Sequence, residues 1–284
     1  MTPAALIRDA ARRFRAARLH YGHGTDNARD EAAFLVLRGL GLGFDASLDG
    51  DLPFEKQRRI ESLIRRRIKE RIPAAYLLNE AWLAGHPFYV DRRAIVPRSH
   101  IAGLLPGLGP AKRILDLCTG SGCLAILAAL AFPRAQVDAA DISAPALAVA
   151  ARNVARYKLK KRLRLIRSDL FEALEGRYDL IIANPPYVDR RAMHALPAEY
   201  RYEPGLALAG GKDGLGVVKR IIAQAPRHLA PGGVLVCEVG DGRRRVERAR
   251  PALQLLWPQD EVFMLEAPRT GAASRTPPRR REAR

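Results

Sequence analysis

The stretch "RILDLCTGSGCLAI", residues 113–126, decides the fold. It opens with a short apolar run that reads as a buried strand, passes through Gly120 and Gly122, and enters a second apolar run at Ala125. A G-x-G-x-x-A turn between a strand and a helix is the context in which such glycines have meaning. They allow a tight turn and let a ligand come close to the backbone. About twenty residues further on, the next strand-like run, "AQVDAAD", ends in Asp141, whose carboxylate can accept from both hydroxyls of a ribose. Glycines and acid together predict a nucleoside site. By themselves they suit a dinucleotide as well as any other adenosyl ligand.

Outward from this unit the pattern alternates. Strands are expected at 113–117, 135–141, 163–169, 178–184, 233–239 and 261–265, with helices at 124–132, 144–158 and around 217–228. Strands alternating with helices imply an α/β, doubly wound, Rossmann-like parallel sheet. Asp116 closes the first strand, where a carboxylate is unwelcome beside a pyrophosphate but suits an ammonium or sulfonium group. Asp169, after the third strand, can accept from an exocyclic amine. Acids after successive strands favour S-adenosylmethionine over a dinucleotide.

The fourth strand ends unusually, in "DLIIANPPYVD", residues 179–189. Prolines cannot donate to a sheet, so the strand stops at Asn184. That places Asn184 on the carboxyl edge, where open α/β sheets bind ligands. If the methyl acceptor is a planar –NH2, its lone pair is delocalised and it is a poor nucleophile. Acceptors on both its N–H groups favour pyramidalisation and free the lone pair. The Asn184 side-chain oxygen and the Pro185 carbonyl can be those acceptors. Pro185 and Pro186 stiffen the loop, and Tyr187 can stack on the planar group. Catalysis then rests on positioning and on stabilising developing charge, with no metal required.

Residues 1–79 read as a helical domain. Asn27, Asp26 or Thr25 is expected to cap a second helix, closed by glycines at 39–43. In "PFEKQRRIESLIRRRIKERIP", Ile60, Leu63, Ile64 and Ile68 form one stripe with the arginines elsewhere. That is a solvated helix packing on its neighbours, or else a basic docking face. Gly85-His86-Pro87 between two short β-prone runs predicts a hairpin within a linker at 80–97. A catalytic domain follows at 98–267. The end, 268–284, reads as a disordered basic tail.

The chain has 284 residues, is 48% hydrophobic and carries a net charge of +18. This charge suits a phosphate-rich partner such as RNA or a ribosome, although an Arg-rich compositional drift also produces it. No apolar run is long enough to span a bilayer, so no membrane association is expected. The N-terminus lacks the apolar core of a secretory signal. Cys118, Cys123 and Cys237 form no CxxC pair, which argues against a disulfide framework or zinc cluster and for a reducing, cytoplasmic setting.

Over nearly its whole length apart from the tail, the chain resembles the HemK-like protein-glutamine N5-methyltransferases. The matching pieces are "DLCTGSGCLAI", "DIS" at 141, "SDL" at 168, "NPPYV" at 184, "RYEPGLALAGGKDGL" at 201 and "VLVCEVG" at 234. The resemblance implies a class I S-adenosylmethionine-dependent methyltransferase with a helical substrate-recognition domain. It also implies that Thr119, Gly120, Ser121, Gly122, Cys123, Asp141, Ile142, Leu170 and Asn184 contact the cofactor. Asn184, Pro185, Pro186 and Tyr187 would hold a glutamine amide. "WLAGHPFYVDRRAIVPRSHI" and the cysteines at 118 and 123 look like the branch acting on large-subunit ribosomal protein L-three, free or in the assembling subunit. The other branch acts on the GGQ glutamine of release factors, and more often has glycine at 118. Adenine-N6 methylation of nucleic acid needs the same clamp, and a non-enzymatic ribosome-assembly factor is the remaining contender.

Overall fold

Three helices open the chain in the computed structural model, which describes residues 1–269. Most of the expected basic tail, from residue 270 on, lies outside the described residues. Helix α1 (Pro3–Ala16) starts on Thr2, whose Oγ1 accepts from the Ala5 N–H at 3.2 Å, with Pro3 in the first turn. At α2 (Ala28–Leu40) the cap is Asn27: its Oδ1 accepts from the N–H groups of Arg29 and Asp30, each at 3.0 Å. Gly41, at φ 75°, ends that helix. Helix α3 (Phe54–Glu70) packs Ile60 and Ile64 against Leu6, Phe14 and Leu35. Each such side chain, fully buried, contributes about 1.5–3 kcal/mol. One arginine departs from the expected pattern. Arg67 lies on the same stripe as Ile60 and Ile64 and is 0% exposed.

After α4 (Ala74–Leu78), strands β1 (Ala81–Leu83) and β2 (His86–Phe88) form an antiparallel hairpin. Its turn residues Ala84 and Gly85 both have positive φ, 49° and 76°, as a two-residue hairpin of this twist needs. Residues 89–100 form no regular element.

There follow α5 (Ile101–Leu104), β3 (Arg113–Leu117), α6 (Cys123–Ala131), β4 (Gln136–Asp141), α7 (Ala144–Arg156), β5 (Leu163–Arg167) and β6 (Tyr178–Ala183). The last part comprises α8 (Arg190–Ala195), α9 (Gly216–His228), β7 (Leu229–Glu238), α10 (Arg243–Ala249), β8 (Leu256–Gln259) and β9 (Val262–Glu266). The seven-stranded sheet has the order β5-β4-β3-β6-β7-β9-β8. Five strands are parallel, but β9 runs antiparallel to β7 and β8 antiparallel to β9. The sheet is therefore mostly rather than wholly parallel, and α5, α8 and α10 were not expected. Residues 260–261 alone join β8 to β9. A two-residue link can make a hairpin, whereas a parallel entry needs a crossover of a dozen residues or more.

Alternate residues of the strands feed two cores. Ile114, Leu180, Ile182 and Val236 pack beneath α5, α6 and α7; Leu115, Leu117, Ile181 and Leu235 pack beneath α9 and α10. Burial on both faces is why β6 is a continuous apolar run. The chain moves outward from β3 through β4 to β5 and then returns to β6 on the other side of β3. At that reversal the carboxyl ends of the strands splay, opening a crevice. Among the described residues no helix is long and apolar enough to cross a membrane.

Candidate active site

Three left-handed residues shape the turn after β3: Cys118 at φ 58°, Gly120 at 56° and Gly122 at 79°. A Cβ on Gly122 would lie 3.1 Å from the Ala150 Cβ, so its absence lets α7 close on the loop. At Gly120 the nearest atom to such a Cβ is Ile95 Cγ2 at 3.7 Å, which leaves the loop's outer side clear. Asp141 holds this loop. Its Oδ2 accepts from the Gly120 N–H and its Oδ1 from the Ser143 N–H, both at 2.8 Å. Burial pushes its carboxyl above the ordinary range, against the pull of those N–H groups.

Asp116 is placed differently from the sequence expectation. Its carboxylate lies behind the loop, where Oδ2 accepts from Thr119 Oγ1 at 2.6 Å and from the Ala125 N–H at 3.0 Å. It thereby supports the loop and the first turn of α6. Burial pushes its pKa up to about 7, and its Oδ1 has no partner among the described residues.

A cavity of about 320 Å³ opens between this loop and the end of β6. Of the residues singled out in the sequence, Gly120, Asp141, Ile142, Asp169, Leu170, Asn184, Pro185, Pro186 and Tyr187 line it. Asp116, Thr119, Ser121, Gly122 and Cys123 do not; they form the layer behind. Leu170 adopts φ 51°, a second non-glycine held left-handed at this wall. Asp169 receives Arg220 Nη2 of α9 at 2.9 Å, a neighbour the sequence did not disclose. Cys118 also lines the cavity, and burial pushes its thiol pKa up, away from thiolate character.

At the opposite wall, Asn184 Nδ2 donates to the Arg98 carbonyl at 3.0 Å. No hydrogen bond among the described residues uses its Oδ1 or the Pro185 carbonyl. Two acceptors are thus left at the end of β6. The Tyr187 hydroxyl donates to Glu238 Oε1 at 3.3 Å, and burial beside that carboxylate raises the phenol's pKa. Glu238, at the end of β7, is itself pushed up by burial and accepts from Ser99 Oγ at 2.5 Å and the His100 N–H at 3.0 Å.

Sequence reasoning assigned no role to the "GGKDG" run or to Gly240. A Cβ on Gly214 would lie 2.4 Å from the Tyr187 carbonyl oxygen, and one on Gly210 2.8 Å from the Tyr187 Cα. On Gly240 it would meet the Tyr187 ring at 2.7 Å. These glycines let the chain close around the Asn-Pro-Pro-Tyr turn, and the hydrogen bond from Val188 N–H to the Leu208 carbonyl, 2.9 Å, ties it down. Leu196, Tyr200, Leu206 and Leu208 from the same region complete the apolar wall. Three glycines within five residues of one loop, 210–214, are the signal that would have pointed there.

Comparison with known proteins adds the following. Residues 102–199 match the family model of the methyltransferase small domain. The ribosomal protein uL3 glutamine methyltransferase of Bordetella pertussis is 57% identical over 277 residues, covering 92% of this chain and 93% of that protein. The protein of the same name from Burkholderia pseudomallei is 52% identical, covering 89% and 88%. A methyltransferase crystal structure from Pyrococcus furiosus superposes with a TM-score of 0.50 at 17% identity, over 75% of this chain and 98% of that one, a likeness of fold.

Proposed function

This chain belongs to the family of ribosomal protein uL3 glutamine methyltransferases, and on that premise we infer that it methylates the side-chain amide nitrogen of a glutamine in uL3. The observation that carries the mechanism is the Asn184 hydrogen bond to the Arg98 carbonyl. It occupies the donor end of the amide and leaves Oδ1 as an acceptor beside the Pro185 carbonyl. Two acceptors suit the two N–H groups of a glutamine amide. Drawing on both hydrogens, they weaken the nitrogen's conjugation with its carbonyl and expose the lone pair. Tyr187, anchored through Glu238, packs on the planar amide and excludes water from it.

The methyl donor we propose is S-adenosylmethionine, and the residues present fit it. Each Asp141 oxygen already takes one backbone N–H and keeps lone pairs for a ribose hydroxyl. Gly120 presents bare backbone, Ile142 and Leu170 supply apolar walls, and Asp169 offers an acceptor for an amine. Asp116, Thr119, Ser121, Gly122 and Cys123 act from behind, by holding the loop's shape. When bound, the donor would supply an electrophilic methyl on a cationic sulfur: the carbon–sulfur bond would break as the carbon–nitrogen bond forms, the sulfur would leave as a neutral thioether, and one amide proton would pass to solvent. Residues 1–79 are proposed to recognise the substrate, 80–97 to link, and 98–267 to carry the chemistry. The setting we propose is the cytoplasm, with the assembling large subunit or free uL3 as partner and RNA phosphates met through the basic surface.

The test is transfer of labelled methyl from S-adenosylmethionine to purified uL3, release factor and ribosomal RNA in parallel. Label on uL3 that chemical analysis assigns to a glutamine side chain is expected. Label on the release factor alone would move the chain to that substrate; label on RNA alone would make it a base methyltransferase.

A further inference from the structure

The turn at residues 198–203, beyond the Asn-Pro-Pro-Tyr loop, carries two carboxylates with different tasks. Glu199 faces the helical bundle: its Oε1 accepts from the His20 N–H at 3.0 Å and meets Arg67 at 3.3 Å and Arg71 at 2.9 Å. Arg67, the buried arginine of α3, also bonds Glu31 at 2.5 Å and the His20 carbonyl at 2.8 Å. Glu203 faces the loop before α5. Its side chain is 0% exposed, and both its oxygens receive Arg98, at 2.6 and 2.7 Å. The Val96 N–H adds a third bond at 3.0 Å. On the other flank of Arg98, Ser99 and His100 are bonded to Glu238. The backbone at Arg98 is therefore gripped from both sides, and its carbonyl is the group that accepts from Asn184.

This grip has a chemical consequence. The oxygen and nitrogen ends of an asparagine amide are nearly equal in shape, and the last torsion of the side chain is soft. Turned over, Asn184 would present N–H donors to a substrate amide's own N–H groups and repel it. Only a fixed acceptor on Nδ2 selects the useful orientation. We propose that Arg98 and Glu203 are positioning residues for the transfer: their ion pair fixes the Arg98 carbonyl, which keeps Asn184 Oδ1 directed at the acceptor amide. Because Glu199 stands on the same short turn, the helical bundle bears on this chain of contacts. The inference rests on the reading of Asn184 as an acceptor for the substrate's N–H.

Two variants test it. Glu203→Gln keeps the size and removes the charge; Arg98→Lys keeps the charge and the carbonyl but not the two-pronged bond. Single-turnover rates on uL3, cofactor affinity by calorimetry and thermal unfolding are measured for each, alone and combined with Asn184→Ala. Both variants should slow transfer about ten- to a hundredfold, as small misplacements of reacting groups do, with cofactor affinity unchanged. Neither should slow Asn184→Ala further, because the orientation they control is then gone. Losses that multiply in the combined variants, or affinity that falls in step with rate, would overturn the proposal. If Glu203→Gln does not fold, Arg98→Lys carries the comparison. Failure of the unsubstituted chain to methylate uL3 would count against the substrate instead, and the same cycle would be run on whichever amide takes the label.

Discussion

Replacing Asp141 with alanine should weaken cofactor binding without unfolding the protein, and the size of the loss can be worked from the contacts. Each carboxylate oxygen bonds one backbone N–H at 2.8 Å, one in the glycine loop and one at the start of α7. In the variant, water entering the space can satisfy both N–H groups, so their loss is partly repaid. The two ribose bonds cannot be repaid in the same way. Charge-assisted bonds are worth about 1.5–3 kcal/mol each, but a carboxylate already partly desolvated gives back part of this on exchange with water. A net loss of roughly 1–3 kcal/mol remains, about 5- to 150-fold in Kd. Calorimetry with S-adenosylmethionine and with S-adenosylhomocysteine measures it. Both ligands carry the ribose, so both should lose equally. Burial raises the Asp141 pKa, and the charged form is the better acceptor, so wild-type affinity should fall as pH is lowered through that raised pKa, while Asp141→Asn shows no such fall. Unchanged affinity in Asp141→Ala would remove this carboxylate from the site. A loss confined to the sulfonium ligand would show that it acts on charge and not on the ribose.

Asn184→Ala should fold and still bind cofactor yet lose roughly a hundredfold or more in turnover, by analogy with removal of one preorganised oxyanion-hole group; wild-type turnover on the glutamine substrate would refute the clamp. For Asp116, burial raises the folded-state pKa from 3.8 to about 7. The stability it contributes is therefore complete below pH 3.8 and is lost as pH rises through about 7. Asp116→Asn, whose oxygen can take the Thr119 and Ala125 bonds, should lack that loss, so denaturant curves that track the wild type across this window would contradict the burial argument. Gly240→Ala adds a Cβ 2.7 Å from the Tyr187 ring at φ 53°, and should destabilise by about 1–3 kcal/mol and displace the tyrosine. Unfolding midpoints and turnover report both effects, and a variant equal to wild type in each would show that the ring moves freely.

Much of the architecture is written locally. The apolar run at 113–117, the glycines after it and the helix behind them need only neighbours in sequence to be read, because turn chemistry and side-chain period act over a few residues. The same holds for the strand ends, so Gly120, Asp141, Asp169 and Asn184 could be placed at one edge of the sheet from their positions after successive strands. The direction of β9 was not legible, since a short apolar run pairs equally well either way until its connection and its partner are known. Nor was the burial of Arg67. Its helical stripe predicts contact with the core, but an arginine there is tolerable only once Glu31 and Glu199 arrive to pair with it.

The amino-acid sequence by itself determined the type of fold, the order of its units and which residue types stand at the strand ends. Tertiary structure decided which way those residues work. Asp116 has the same composition of atoms as Asp141, yet it turned behind the loop to Thr119 and Ala125 while Asp141 faced the cavity. The orientation of the Asn184 amide depends on a carbonyl 86 residues away in sequence, held by Glu203 and Glu238 from two further segments. Such bonds leave no local pattern, because the partner is a backbone group that every residue possesses, and only the folded chain brings that one within reach.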